Sequence, residues 1–170
     1  MAGALIFGTA TAQDAQAASK RDKAFFQKVE GTWQGPGEIV AGKYKGTKFT
    51  CTFQGSMPNA KIGMTLDGKC RVGVFTQEMK ATVVSAGKSY SGSFLDGAKG
   101  EGLDIVAGNV TKDRAVMRLQ RKQLEGAMLV RLAGPQTLNV TVSVDVNGEM
   151  VPVIGMSMNR IDTSTVSSIK

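Results

Sequence analysis

The sequence predicts an all-β fold, a single antiparallel up-and-down β-barrel of about eight to ten strands with a short N-terminal helix. Three observations carry this expectation. From Leu138 to Val146 apolar residues alternate with polar ones, and Asn147-Gly148 then tolerates the two positive φ angles of a type I′ turn, so Met150 to Arg160 folds back as the partner strand. Twenty-one glycines beside only 6% aromatic residues suit short strands joined by tight turns. About ten short strand-like segments also follow one another without a crossover helix, and closing such a meander removes its exposed edges.

The N-terminus bears on compartment. Met1 to Ala12 is apolar and small, and Ala10-Thr11-Ala12 before Gln13 has the form of a cleavage site, with Ala15-Gln16-Ala17 as a second one. No basic residue precedes the apolar run, so it has the form of a signal peptide lacking its front. This predicts a bacterial protein that is periplasmic or secreted. The run is well short of the roughly 20 residues of a membrane-spanning helix, and no other stretch qualifies. The expected layout is a truncated signal peptide and mobile tail over residues 1–21, a barrel domain over 22–162, and a disordered tail over 163–170.

Asp22 is placed to cap a short helix through Glu30, with Phe25, Phe26 and Val29 on one side. Gly31-Thr32-Trp33 follows, carrying the only tryptophan. Gly35-Pro36-Gly37 predicts a sharp bend before an extended run at Glu38 to Val40, and Ala41 to Gly46 predicts a turn with Tyr44 at its tip. Expected strands then cover residues 48–53, 62–66, 69–75, 80–85, 90–94, 103–107, 115–120, 127–132, 138–146 and 150–161. The only two cysteines are Cys51 and Cys70, an even count that an oxidising compartment pairs. If residues 48–53 lie antiparallel to 62–72, turning near Pro58-Asn59 with Asp67-Gly68 as a kink, the two come within disulfide reach.

Several chemistries are excluded. The chain has no histidine, which removes Ser-His-Asp, Cys-His and His-zinc sites. Ser85-Ala86-Gly87-Lys88 has the S-x-x-K spacing of Ser-Lys acylases but falls on a glycine turn, where no helix brings Lys88 to Ser85. Gly97 to Gly102 is neither a Walker loop nor a dinucleotide fingerprint, and Asp96, Glu101 and Asp104 around it lack the EF-hand spacing. No catalytic residue, metal or cofactor is therefore expected.

The net charge of +7 fits an anionic partner. If Ala115, Met117 and Leu119 face inward, then Arg118 and Lys122 face outward. Arg131 joins them from the next strand to form a basic patch. The patch lacks aromatics to stack bases, so nucleic acid is a poorer partner for it than an anionic envelope surface.

The helix followed by Gly31-Thr32-Trp33 and a first strand resembles the opening of lipocalin-like (calycin) barrels. In that family the tryptophan of a G-x-W motif packs across the closed end under a basic residue of the last strand, and the resemblance puts Arg160 over Trp33 in a cation–π pair. Avidins and small bacterial protease-inhibitor barrels share this opening, although one tryptophan does not build an avidin cage. The cysteine spacing is similar to that of small exported alphaproteobacterial proteins of unknown function. The resemblance implies a barrel that acts by binding without catalysis, most simply as a carrier or sensor of a small hydrophobic ligand.

Two alternatives stand beside that reading. One is a protease inhibitor whose mobile segment, Gln13 to Lys23, enters a protease cleft. The other is an envelope structural protein docking through an outer apolar face. That face follows from the hairpin: a two-residue turn pairs Val144 with Val151 and Val142 with Val153 facing inward, which sends Ile154, Met156 and Met158 outward. Either a bulge near Pro152 or Gly155 reverses the register, or the face is covered by the Phe25-Phe26 helix, another subunit or a partner. The interior residues predict either a solid core or a partly open pocket.

Overall fold

Helix α1 spans Thr11–Val29 in the computed structural model of the protein, which describes residues 11–95 and 103–161. Most of the segment expected as a mobile tail is therefore helical, consistent with its many alanines. Asp22 lies well inside the helix and does not cap it. Its carboxylate accepts a hydrogen bond from the Tyr90 hydroxyl at 2.7 Å. Phe25, Phe26 and Val29 turn one face of α1 into the core, each no more than 3% exposed. The leader over residues 1–10, the loop Gly97 to Gly102 with Asp96, and the tail after Ile161 lie outside the described residues.

Ten strands follow: β1 (Gly31–Ile39), β2 (Lys48–Ser56), β3 (Gly63–Val72), β4 (Phe75–Ala86), β5 (Ser89–Leu95), β6 (Leu103–Val110), β7 (Arg114–Arg121), β8 (Leu124–Leu132), β9 (Thr137–Val146) and β10 (Glu149–Ile161). Each pairs antiparallel with the next, and β1 pairs with both β2 and β10, closing the barrel. The all-β antiparallel barrel expected from the sequence is thus the observed fold. No helix among the described residues is long and apolar enough to cross a membrane.

Three local readings change. Gly35-Pro36-Gly37 does not bend the chain; β1 runs straight through it. Pairing to β2 continues there (Gly35 with Cys51, Pro36 with Thr50), while on the β10 side the ladder passes from Gln34–Asn159 to Gly37–Met156. Proline donates no ladder hydrogen bond, and a Cβ on Gly35 would lie 2.1 Å from the Ser157 carbonyl oxygen. Second, Asp67-Gly68 lies inside β3, so one long strand replaces two short ones, and the turn comes later, at Gly73-Val74.

The third change concerns the last hairpin. Asn147 and Gly148 have φ of 56° and 86°, and Val144 pairs with Val151 as expected. The register then shifts between Pro152 and Ile154, so Val142 faces Ile154, not Val153, and Met156 and Met158 oppose Val140 and Leu138. A bulge reverses the alternation. Met158 is 3% exposed, and Ile154 and Met156 pack half-buried against the core. The outer apolar face expected here does not form, and Phe25 and Phe26, also expected at an interface, belong to the core.

Candidate functional site

The two ends of the barrel differ. The connections β2–β3, β4–β5, β6–β7 and β8–β9, together with α1, close one end; β1–β2, β3–β4, β7–β8 and β9–β10 lie at the other.

At the closed end Trp33 is fully buried, and its indole nitrogen donates to the Val29 carbonyl at 2.8 Å. Arg160, directly across from Trp33 in the β1–β10 ladder, lays its guanidinium 4.4 Å from the indole centroid. Its terminal nitrogens donate to the Glu30 and Lys28 carbonyls, and Nε donates to Pro135. One side chain thus satisfies the open carbonyls at the end of α1 and covers the tryptophan. Gly31 adopts φ 113°, and the space of its missing Cβ is taken by the Arg160 guanidinium. The helix is held at a second point by Tyr90. Burial, and then the hydrogen bond to Asp22, drive the Tyr90 hydroxyl pKa strongly upward. The groove of about 790 Å3 beside Lys28, Lys112 and Pro135 is open surface, and the Arg160 guanidinium on its wall is already held by carbonyls.

Above this floor the interior is filled. The cavity among Trp33, Phe53, Leu66, Met128, Leu138 and Met156 measures about 50 Å3 and is wholly apolar. That is far below the roughly 300 Å3 at which ligand pockets begin. The solid-core reading therefore holds for the lower half.

Toward the mouth the inward rows change character. Continuing the alternation from buried neighbours, Ile39, Phe49, Met79, Leu103, Val144 and Val151 face inward yet remain half-exposed, and Val72 is exposed at the rim. Cys51 and Cys70, opposite one another on β2 and β3, are joined by a disulfide within this wall. The row Ala115, Met117, Leu119 ends in Arg121, whose Nε is buried. A cation at the end of an otherwise apolar inward row was readable in the same alternation that places Arg118 outward.

The three residues of the expected basic patch do not gather. Arg118 is paired with Glu125 at 3.2 Å, Lys122 sits in the β7–β8 turn with φ 53°, and Arg131 lies at the opposite end of the pair, across from Arg114. Ser85 lies one residue before the end of β4 and Lys88 beyond the turn at Gly87, with no helix between them. Among the described residues no group of three or more Cys, Asp or Glu is placed to hold a metal ion.

No family model matches the sequence, and no curated protein does. Solved structures share its fold. The S-type phycobiliprotein lyase CPES from Guillardia theta aligns over 86% of this chain and 98% of its own, with a TM-score of 0.55 at 10% identity. A DUF3598-family protein of unknown function from Nostoc punctiforme aligns over 79% of this chain, with a TM-score of 0.51 at 12% identity. The chain spans 48% of the length of that second protein. These likenesses are of fold, a β-barrel shared at low sequence identity. They also correct the expectation of a protein that acts without catalysis, because this architecture is shared with a lyase.

Proposed function

We propose that the protein is an exported lipocalin-like barrel that takes a small hydrophobic ligand bearing an anionic group into its mouth. The observation that carries this reading is Arg121, a guanidinium at the end of an apolar inward row, above a floor that Trp33 and its neighbours fill. Half-exposed apolar walls supply transfer free energy, and a partly desolvated guanidinium supplies a directional contact to a carboxylate or phosphate. The Cys51–Cys70 disulfide supports an oxidising compartment, periplasmic or extracellular.

The protease-inhibitor alternative loses its mechanism, since residues 13–23 lie within α1 and offer no extended backbone to a cleft. Native mass spectrometry of the protein purified from an exporting host tests the proposal. It predicts a co-purifying amphiphilic species that disappears in Arg121→Leu. A ligand-free spectrum after incubation with long-chain carboxylates and lysolipids would count against it.

A further inference from the structure

The rim of the mouth carries apolar side chains that the barrel leaves in solvent. Val74 is 89% exposed, Phe75 78% and Tyr44 62%, with Val40 and Val72 exposed beside them. Val40 and Tyr44 lie on the loop after β1, and Val72, Val74 and Phe75 on the β3–β4 turn and the strand ends that flank it, brought side by side because β2 pairs with β3. Isolated exposed apolar residues are ordinary, but a cluster at one edge marks an interaction surface.

The charges on these segments have one sign. Residues 40–47 and 70–76 hold Lys43, Lys45 and Arg71 and no carboxylate, while Lys48 and Lys69 just below them stand across from Glu38 and Glu78 in the ladders. The Lys43 ammonium lies 5.4 Å from the Tyr44 ring centroid, so cation and aromatic project together. A second copy of the chain seated on this edge would bring like charges together. A surface of uniform negative charge would match them. Aromatic and aliphatic tips flanked by lysines suit the layer between lipid headgroups and acyl chains.

We propose that these two connections dock the mouth of the barrel onto an anionic lipid bilayer, with Tyr44, Val74 and Phe75 entering the interface and the cations against lipid phosphates. Docking extends the ligand reading by setting the mouth against a source or acceptor of amphiphiles, yet it stands on different residues.

The test is co-sedimentation of the full chain with phosphatidylcholine vesicles, with and without phosphatidylglycerol. Binding is expected only with phosphatidylglycerol and is expected to weaken with added salt. Lys43→Ala and Lys45→Ala should each lower the partition coefficient about fivefold. The double variant Val74→Ser/Phe75→Ser should abolish binding at an unchanged melting temperature, because neither side chain is buried. No binding to phosphatidylglycerol vesicles, equal binding by the double variant, or a dimer dissolved by that variant in place of vesicle binding would each overturn the proposal. Arg121→Leu should leave vesicle binding intact, which separates failure of docking from failure of the ligand reading.

Discussion

The guanidinium of Arg160 lies 4.4 Å from the ring centroid of Trp33 while its nitrogens hold the carbonyls of Lys28 and Glu30. The last strand, the first strand and the end of the helix meet in this one contact. Arg160→Ala should cost about 2–3 kcal/mol, combining the cation–π pair with two charge-assisted hydrogen bonds. Arg160→Lys should recover only part of that, because an ammonium does not reproduce the planar fork. Urea denaturation of the three proteins checks the order.

The disulfide closes a loop with a sequence separation of 19. Its removal in Cys51→Ala/Cys70→Ala should lower stability by about 3 kcal/mol, chiefly through the unfolded chain. Reducing agent should shift the denaturation midpoint of the wild type and leave that of the double variant unchanged.

Tyr90 makes stability depend on alkaline pH. Its folded-state pKa is raised above the unfolded value, so its contribution is fully present below about pH 10 and declines as pH rises above that. Thermal melts between pH 8 and 12 should show a decline that is shallower in Tyr90→Phe. The same variant should be less stable at pH 8 by about 1–3 kcal/mol, because the nearly buried Asp22 carboxylate loses a donor.

The bulge in β10 sets the fate of Met158. With Met158 packed inward, Met158→Ala should cost about 2–5 kcal/mol, whereas the neighbouring Ser157→Ala should change stability by less than about 0.5 kcal/mol. Equal, small effects would mean an unbroken register with Met158 outside.

Much of the fold was legible because its signals are local. The Asn147-Gly148 turn demands residues that accept positive φ, and alternation from Leu138 to Val146 names the inward face. The pairing of Cys51 with Cys70 followed from placing two arms antiparallel, and that of Trp33 with Arg160 from a resemblance. What stayed illegible depends on tertiary context. A bulge near Pro152 was one of two ways to resolve the apolar face that alternation gave Met156 and Met158, but no special residue chose it over a covered face, and only the register shift between Pro152 and Ile154 does. Gly35-Pro36-Gly37 carries the marks of a turn, but the close approach of β10 accounts for Gly35 and a gap in the ladder accommodates Pro36. The site was partly legible: the row that sends Arg118 outward also sends Arg121 inward, but only closure of the barrel shows that this row ends at the mouth.

The most direct test of the central claim is a titration of the protein with a fluorescent long-chain carboxylate, compared with Arg121→Leu and with the neutral alcohol of the same chain. The account predicts saturable binding of the carboxylate. It also predicts a loss of about tenfold or more in Arg121→Leu, and weak binding of the alcohol to both proteins. Equal affinities of wild type and Arg121→Leu for the carboxylate, or no saturable binding by the wild type, would contradict it.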